Sequence, residues 1–327
     1  MTQSHDSHSL ERQVVAGLDA ITLRSPGELA ATFVPAAGMV CSSLRHRGEE
    51  LLGQRGGVER YVASGSTMGI PLLYPWANRI SQRQFVVGGE EVNLDRASNL
   101  VRTDPNGLPI HGLLAGHSGW RIERRHTDRG QANFRAGFDF DRDPELIGAF
   151  PFPHRLEVAV SLKSTTLEIA TTLRPTGATA VPISFGYHPY FVLPAVPRRD
   201  WQVELPVARH LVVDERKIPT GTVEKAEGVE TGPLGERTFD DGYVGIEAGA
   251  CFVLAGGGQR IEVRFLEGYP VAVLYAPAGE QVICFEPMTA PTNALVSGDG
   301  LRWAQPDEEF TARFSVTLSD ERPAAKA

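Results

Sequence analysis

Between Arg155 and Leu173 the chain alternates apolar and polar residues so regularly that only paired strands can use the pattern. Leu156, Val158, Val160 and Leu162 fall on one side of a two-residue period, with Arg155, Glu157, Ser161 and Lys163 on the other. After Ser164-Thr165-Thr166 the pattern resumes at Leu167, Ile169, Thr171 and Leu173, which predicts a hairpin with one buried face. Similar segments are expected at Leu29 to Val34, Ile261 to Phe265, Val271 to Tyr275, Gln281 to Phe285 and Phe310 to Leu318. No stretch of a dozen residues holds a three-to-four-residue apolar period, so helices should be short and few. The 34 glycines and 23 prolines fall mostly between these segments, where they supply turns; Gly256-Gly257-Gly258 reads as one of them.

Strands with one apolar face must bury it against another sheet, and many such antiparallel strands predict an all-β protein built as a large sandwich. No low-complexity linker or fixed repeat divides the chain, so residues 1–327 read as a single domain. Its polar ends, about 1–12 and 321–327, read as loose tails.

Composition narrows the partners. A formal charge of −8 disfavours nucleic acid, and no apolar run is long enough to span a membrane. The N-terminus lacks a basic region followed by an apolar one, which leaves the cytoplasm as the expected compartment. Cys41, Cys251 and Cys284 are odd in number and widely spaced, unlike a disulfide framework or a structural zinc site. His111 and His117 have no nearby carboxylate or thiol in sequence to complete a metal set, and no nucleotide-binding glycine loop is present. The expectation is a protein with no metal and no cofactor.

Four segments could carry chemistry. Ile183 to Phe191 sets His188 among aromatic rings, where an imidazole can serve as a general acid or simply pack. Gly69 to Ile80 reads as a loop that offers Trp76 as a ring, Asn78 as an amide and Arg79 as a fixed cation, a combination suited to a polyhydroxylated ligand. His111-Gly112 follows a turn-rich approach. Glu286 should point the same way as Cys284 at the end of a strand that Pro287 closes, where partial burial would make the carboxylate a stronger base.

Taken in order, Asn78-Arg79-Ile80, His111-Gly112, His188-Pro189-Tyr190-Phe191 and Glu286-Pro287 resemble the aldose 1-epimerase (mutarotase) family. The resemblance implies a galactose-mutarotase type β-sandwich that interconverts the α and β anomers of a hexose. It implies Glu286 as the base on the C1 hydroxyl, His188 as the acid on the ring oxygen, and Arg79 and His111 as groups that hold the sugar. Asp240 matches the family's substrate-binding aspartate, with Asp241 as an adjacent rival. Val192 stands where galactose-active members commonly have Asn, so the sugar stays open. Hexose 6-phosphate epimerases and non-catalytic sugar-binding proteins are the alternatives, the first requiring a cationic pocket for which Arg83, Arg96 and Arg102 are candidates.

Overall fold

The computed structural model describes residues 7–320. The predicted hairpin forms as His154–Lys163 and Thr166–Pro175, with Leu156 opposite Leu173, Val160 opposite Ile169 and Leu162 opposite Leu167. Along its first strand buried and half-buried residues alternate down to Leu162, so the two-residue period is realised as burial. This hairpin is the middle of a nine-stranded sheet. Arg121–Thr127 and Ala132–Asp139 lie on one side; Phe310–Asp320, Gln259–Glu267, Cys251–Gly256, Gln202–Glu204 and Gly232–Pro233 follow on the other.

A second, eight-stranded sheet runs in the order Pro219–Lys225, Arg209–Val213, Phe239–Val244, Val271–Ala276, Ile283–Met288, Gly186–Tyr187 and Leu72–Leu73, with Tyr190–Phe191 also paired to Ile283–Met288. The pairings within both sheets are antiparallel. Phe252 of the first sheet stacks on Phe285 of the second at 5.5 Å, and Phe314 meets Tyr187 at 5.0 Å. Burying each such ring contributes about 1.5–3 kcal/mol. Thr171, fully buried, shares a 2.6 Å hydrogen bond with the Tyr187 hydroxyl across the same interface.

Five antiparallel strands, from Ser9–Val15 to Glu49–Glu50, form a further meander that reaches the nine-stranded sheet through Phe33 and Phe134, 5.3 Å apart. One buried apolar cluster runs from Ile21 to Leu318. Among the described residues helix is confined to Gly57–Ser64, Pro144–Ala149, Ala294–Ser297 and short 3-10 turns. No helix among the described residues is long and apolar enough to cross a membrane. The turn expected at Gly256-Gly257-Gly258 is there: Gly256 pairs with Gln259, and Gly257 and Gly258 both take positive φ, which a two-residue hairpin turn of this kind requires.

Two expectations change. Ser9–Val15 pairs along its length with Leu18–Arg24, so residues 9–12 belong to a ladder rather than to a loose tail. The expected looseness of residues 1–6 and 321–327 lies outside the described residues. Pro287 does not close its strand: it sits opposite Ala272, and pairing continues to Met288, opposite Val271 and Gly186. A proline removes one donor from a ladder, and here strands on both sides hold the rest.

Candidate active site

Strand alternation decides which residues of Ile283–Met288 face the sandwich. Ile283 and Phe285 enter the main core, whereas Cys284, Glu286 and Met288 point to the outer face of the eight-stranded sheet. On that face lies a cleft of about 170 Å³ lined by Arg55, Thr67, Asn78, Arg79, Ile110, His111, His188, Tyr190, Asp240, Tyr275 and Glu286.

The segment from Tyr74 to Arg79 ties the cleft together. Tyr74 bridges to Gly112, Arg79 to Ile110 and Trp76 to Ser184, so one irregular stretch is held between the His111 loop and the strand that leads to His188. His111 donates its backbone N–H to the Asn78 carbonyl at 3.0 Å. Gly112 is required beside it: its φ is 76°, and a Cβ there would lie 2.0 Å from the Tyr74 carbonyl oxygen. The His-Gly pair therefore places an imidazole where only glycine lets the backbones meet.

Arg79 is clamped before any ligand arrives. Its Nε donates to Asp104 Oδ2 at 2.7 Å and its Nη1 to Asn78 Oδ1 at 3.1 Å, while Asp240 Oδ1 stands 3.9 Å from Nη1. Nη2 has no hydrogen-bond partner among the described residues, which leaves donors for a ligand oxygen. Asp104 is buried, which acts to raise its pKa, but the hydrogen bond from Arg79 and two backbone N–H groups, of Leu108 and Asn106, hold the carboxyl below its ordinary value.

At the cleft floor His188 Nε2 is 3.2 Å from Glu286 Oε1, and the two residues are 5% and 1% exposed. Tyr190 lies parallel to the imidazole at 4.4 Å, while His111 and Tyr275 meet it edge-on at 5.4 and 5.5 Å. The Tyr190 hydroxyl is 3.3 Å from Nε2, but the parallel stack puts it over the ring face, away from the nitrogen's in-plane lone pair. That hydroxyl is held instead by Thr67 at 2.6 Å and Arg55 at 3.0 Å.

Burial raises the Glu286 pKa well above normal, reinforced by the charge of Asp240 and opposed by Arg79. Burial drives His188 well below its ordinary value, aided by His111 and Arg55. His111 is lowered to about 3 by burial and by Arg79, so it faces the cleft as a neutral ring. The dyad thus favours a neutral carboxyl beside a neutral imidazole, one proton between two bases in contact. Moving that proton across 3.2 Å gives carboxylate and imidazolium, a base and an acid side by side.

Of the residues read from sequence, Asn78, Arg79, His111, His188, Asp240 and Glu286 line one cleft. The register of Phe239–Val244 separates the two aspartates: Asp240 pairs with Tyr275 on the cleft face, whereas Asp241 takes the other face and contacts His210 at 3.2 Å. Asn78 turns its oxygen toward Arg79, accepting from both its N–H and Nη1, so it orients the cation. Trp76 does not serve as a sugar platform: its ring is fully buried in the main core and is absent from the cleft wall, where Tyr275 supplies an aromatic edge instead. His117 pairs with Asp143 at 3.2 Å, away from the cleft.

Sequence reasoning missed Arg55, Thr67, Asp104 and Tyr275. Only Asp104 carried a local signal. In Asp104-Pro105-Asn106-Gly107 its Oδ1 accepts from the N–H groups of Asn106 and Leu108, an arrangement typical of an Asp-initiated turn. For metals, His188, Cys284 and Glu286 are the one group of three or more donors among the described residues, their ligand atoms all within 4.8 Å of one another.

The family model for aldose 1-epimerase matches residues 19–317. Among solved structures, a galactose mutarotase-like protein from Clostridium acetobutylicum superposes with a TM-score of 0.83 at 18% identity, over 97% of this chain and 100% of that one. Galactose 1-epimerase from Lactobacillus acidophilus NCFM gives 0.76 at 18% identity, over 96% and 100% of the two chains. A protein from Synechocystis sp. PCC 6803 gives 0.73 at 22% identity, over 98% and 99%. At these identities the superpositions establish a shared galactose-mutarotase type fold.

Proposed function

The chain belongs to the aldose 1-epimerase family of isomerases, and from that premise we propose that it interconverts the α and β anomers of a free hexose without a cofactor. The observation that carries the proposal is the His188–Glu286 contact, a buried acid–base pair on the floor of a cleft rimmed by fixed donors and a carboxylate.

The two oxygens that must exchange a proton, the C1 hydroxyl and the ring oxygen, are both bonded to C1. An acid and a base in contact can therefore serve them together, and they need not stand on opposite sides of the sugar. Glu286 as carboxylate takes the C1 hydroxyl proton while His188 as imidazolium protonates the ring oxygen. The C1–O5 bond breaks and C1 becomes an aldehyde. Rotation about C1–C2 presents the other carbonyl face, and closure returns the protons to their starting groups. Arg79 and the neutral His111 contribute donors toward the sugar oxygens, and donors fixed before the reaction cost little reorganisation. The side chain of Asp240, 35% exposed at the rim, accepts from hydroxyls.

Charge pairing supports a free sugar over its 6-phosphate. Arg79 is engaged by Asp104, and Arg55 by Glu280 at 3.2 Å. Of the other candidates for a phosphate pocket, Arg83 pairs with Asp95, Arg96 bonds the Gly148 carbonyl and Arg102 the Asn99 carbonyl, none of them lining the cleft. The unbroken core from Ile21 to Leu318 also supports reading the chain as one domain. Exchange NMR on glucose, galactose and their 6-phosphates tests the proposal: acceleration of α/β interconversion for a free hexose is expected. Acceleration only for a phosphate ester would reassign the substrate, and none for any of the four would remove the catalytic reading.

A further inference from the structure

Cys284 has no part in the acid–base step, yet strand alternation sets its thiol beside both groups that perform it. Cys284 and Glu286 are two residues apart on one face of Ile283–Met288, and the pairing of Tyr190 opposite Cys284 brings the His188 segment over them. An imidazole nitrogen, a thiol sulfur and a carboxylate oxygen lie within 4.8 Å of one another, all three residues buried. The Glu286 carboxylate has no hydrogen bond or ion pair among the described residues beyond its contact with His188. A buried carboxylate so poorly satisfied is an unusual expense in a core and leaves lone pairs free to bind.

We propose that His188, Cys284 and Glu286 form an inhibitory site for a borderline-soft divalent cation such as Zn²⁺, entered from the sugar cleft and occupied in place of the sugar. Nitrogen, sulfur and oxygen donors together match zinc, which binds them at about 2.0–2.3 Å and takes three protein ligands with a fourth position open. Closing the donors around an ion needs only small side-chain movements, because His188 and Glu286 already touch. His188 and Glu286 line the sugar cleft, which gives an ion its way in and room for a fourth ligand. The nearby guanidinium groups do not forbid a cation, since Arg55 is paired with Glu280 and Arg79 with Asp104.

The chemistry balances without an oxidant. Binding forms Zn–N, Zn–S and Zn–O bonds, displaces water from the ion, and releases to solvent the thiol proton and the proton shared by His188 and Glu286. With the base and the acid both ligated, neither can move a proton to or from a sugar. The metal-free protein is the active form.

The site rests on the mutarotase reading only for its inhibitory effect, so binding and inhibition are measured separately. Cobalt(II) alone, added to the full chain, is expected to produce a thiolate-to-metal absorption that Cys284→Ser and Cys284→Ala both lack. Zn²⁺ alone is expected to suppress anomer exchange in the wild type, with recovery on adding EDTA and protection by saturating hexose. Cys284→Ser should keep the uninhibited rate and need at least about tenfold more Zn²⁺ for the same suppression, the scale on which losing one contributor to a metal site acts. No thiolate absorption in the wild type, or equal Zn²⁺ sensitivity in Cys284→Ser, would overturn the proposal. Cobalt absorption that depends on Cys284 in a protein with no anomer exchange would uphold the site and instead remove the catalytic reading.

Discussion

Two buried histidines, His154 and His188, are treated by the fold in opposite ways. His154 is inaccessible to solvent, stacks on Phe140 at 4.4 Å, places Nδ1 2.5 Å from the Phe152 carbonyl and Nε2 2.6 Å from the Tyr74 hydroxyl. Those partners fix one neutral tautomer, with Nδ1–H donating and Nε2 accepting from tyrosine. His188 is nearly as buried, but among the described residues its Nδ1 has no partner, and its Nε2 stands 3.2 Å from Glu286 Oε1. Burial depresses both pKa values. The difference lies in what is left unmade. A fully satisfied imidazole stabilises a core, whereas one with an open nitrogen beside an equally open carboxylate stores the capacity to move a proton.

The largest effect expected from this contrast is catalytic. His188→Asn should lower anomer exchange by about 10²- to 10⁴-fold, the range for losing one general acid or base. In the proposed mechanism His188 and Glu286 share one proton relay, so the His188→Asn/Glu286→Gln double variant should be little slower than the single one. Multiplicative losses in steady-state exchange would show that the two residues work independently.

A smaller effect is expected at the other histidine, and it is read in stability. The folded pKa of His154 is lowered to about 4 from an ordinary 6.5, mainly by burial, so between these values the unfolded chain binds a proton that the folded chain refuses. Its contribution is complete above about pH 6.5 and is lost as pH falls toward 4, by about 3 kcal/mol in all. Urea unfolding of the wild type should weaken more steeply over that window than unfolding of His154→Gln. Parallel pH dependences would mean that His154 is not held neutral. His111 and His188 act in the same direction, but they are common to both proteins.

The mildest change tests the rim. Arg79→Lys keeps the charge but cannot donate at once to Asp104, Asn78 and a ligand from one rigid plane, so kcat/KM should fall about tenfold, some 1.4 kcal/mol. Unchanged exchange kinetics would place the guanidinium outside the binding geometry.

How far the sequence revealed this arrangement depends on whether a signal was local. The hairpin around Leu156 and Leu173 was legible because strand period and burial coincide there. Arg79, His111, His188 and Glu286 were legible as chemistry-bearing residues in four separated segments, and the ordered set resembled one family. Trp76 was misread because a ring in an irregular segment can face either way, and packing against the core decided it. Asp240 could not be told from Asp241 until strand pairing gave each a face. Arg55 and Thr67 are held at the cleft by contacts with Tyr190, more than a hundred residues away, and nothing in their own segment announces that.

The most direct test of the account is a joint measurement on Glu286→Gln, in which thermal stability and anomer exchange are read from one preparation. Gln keeps the shape of the side chain while removing the ionisable group whose burial in the cleft floor is so poorly compensated. The melting temperature is expected to equal or exceed that of the wild type, with exchange reduced by about 10²- to 10⁴-fold and sugar still bound. A clear loss of stability with full exchange per folded molecule would contradict it, because Glu286 would then be holding the core together and not moving a proton.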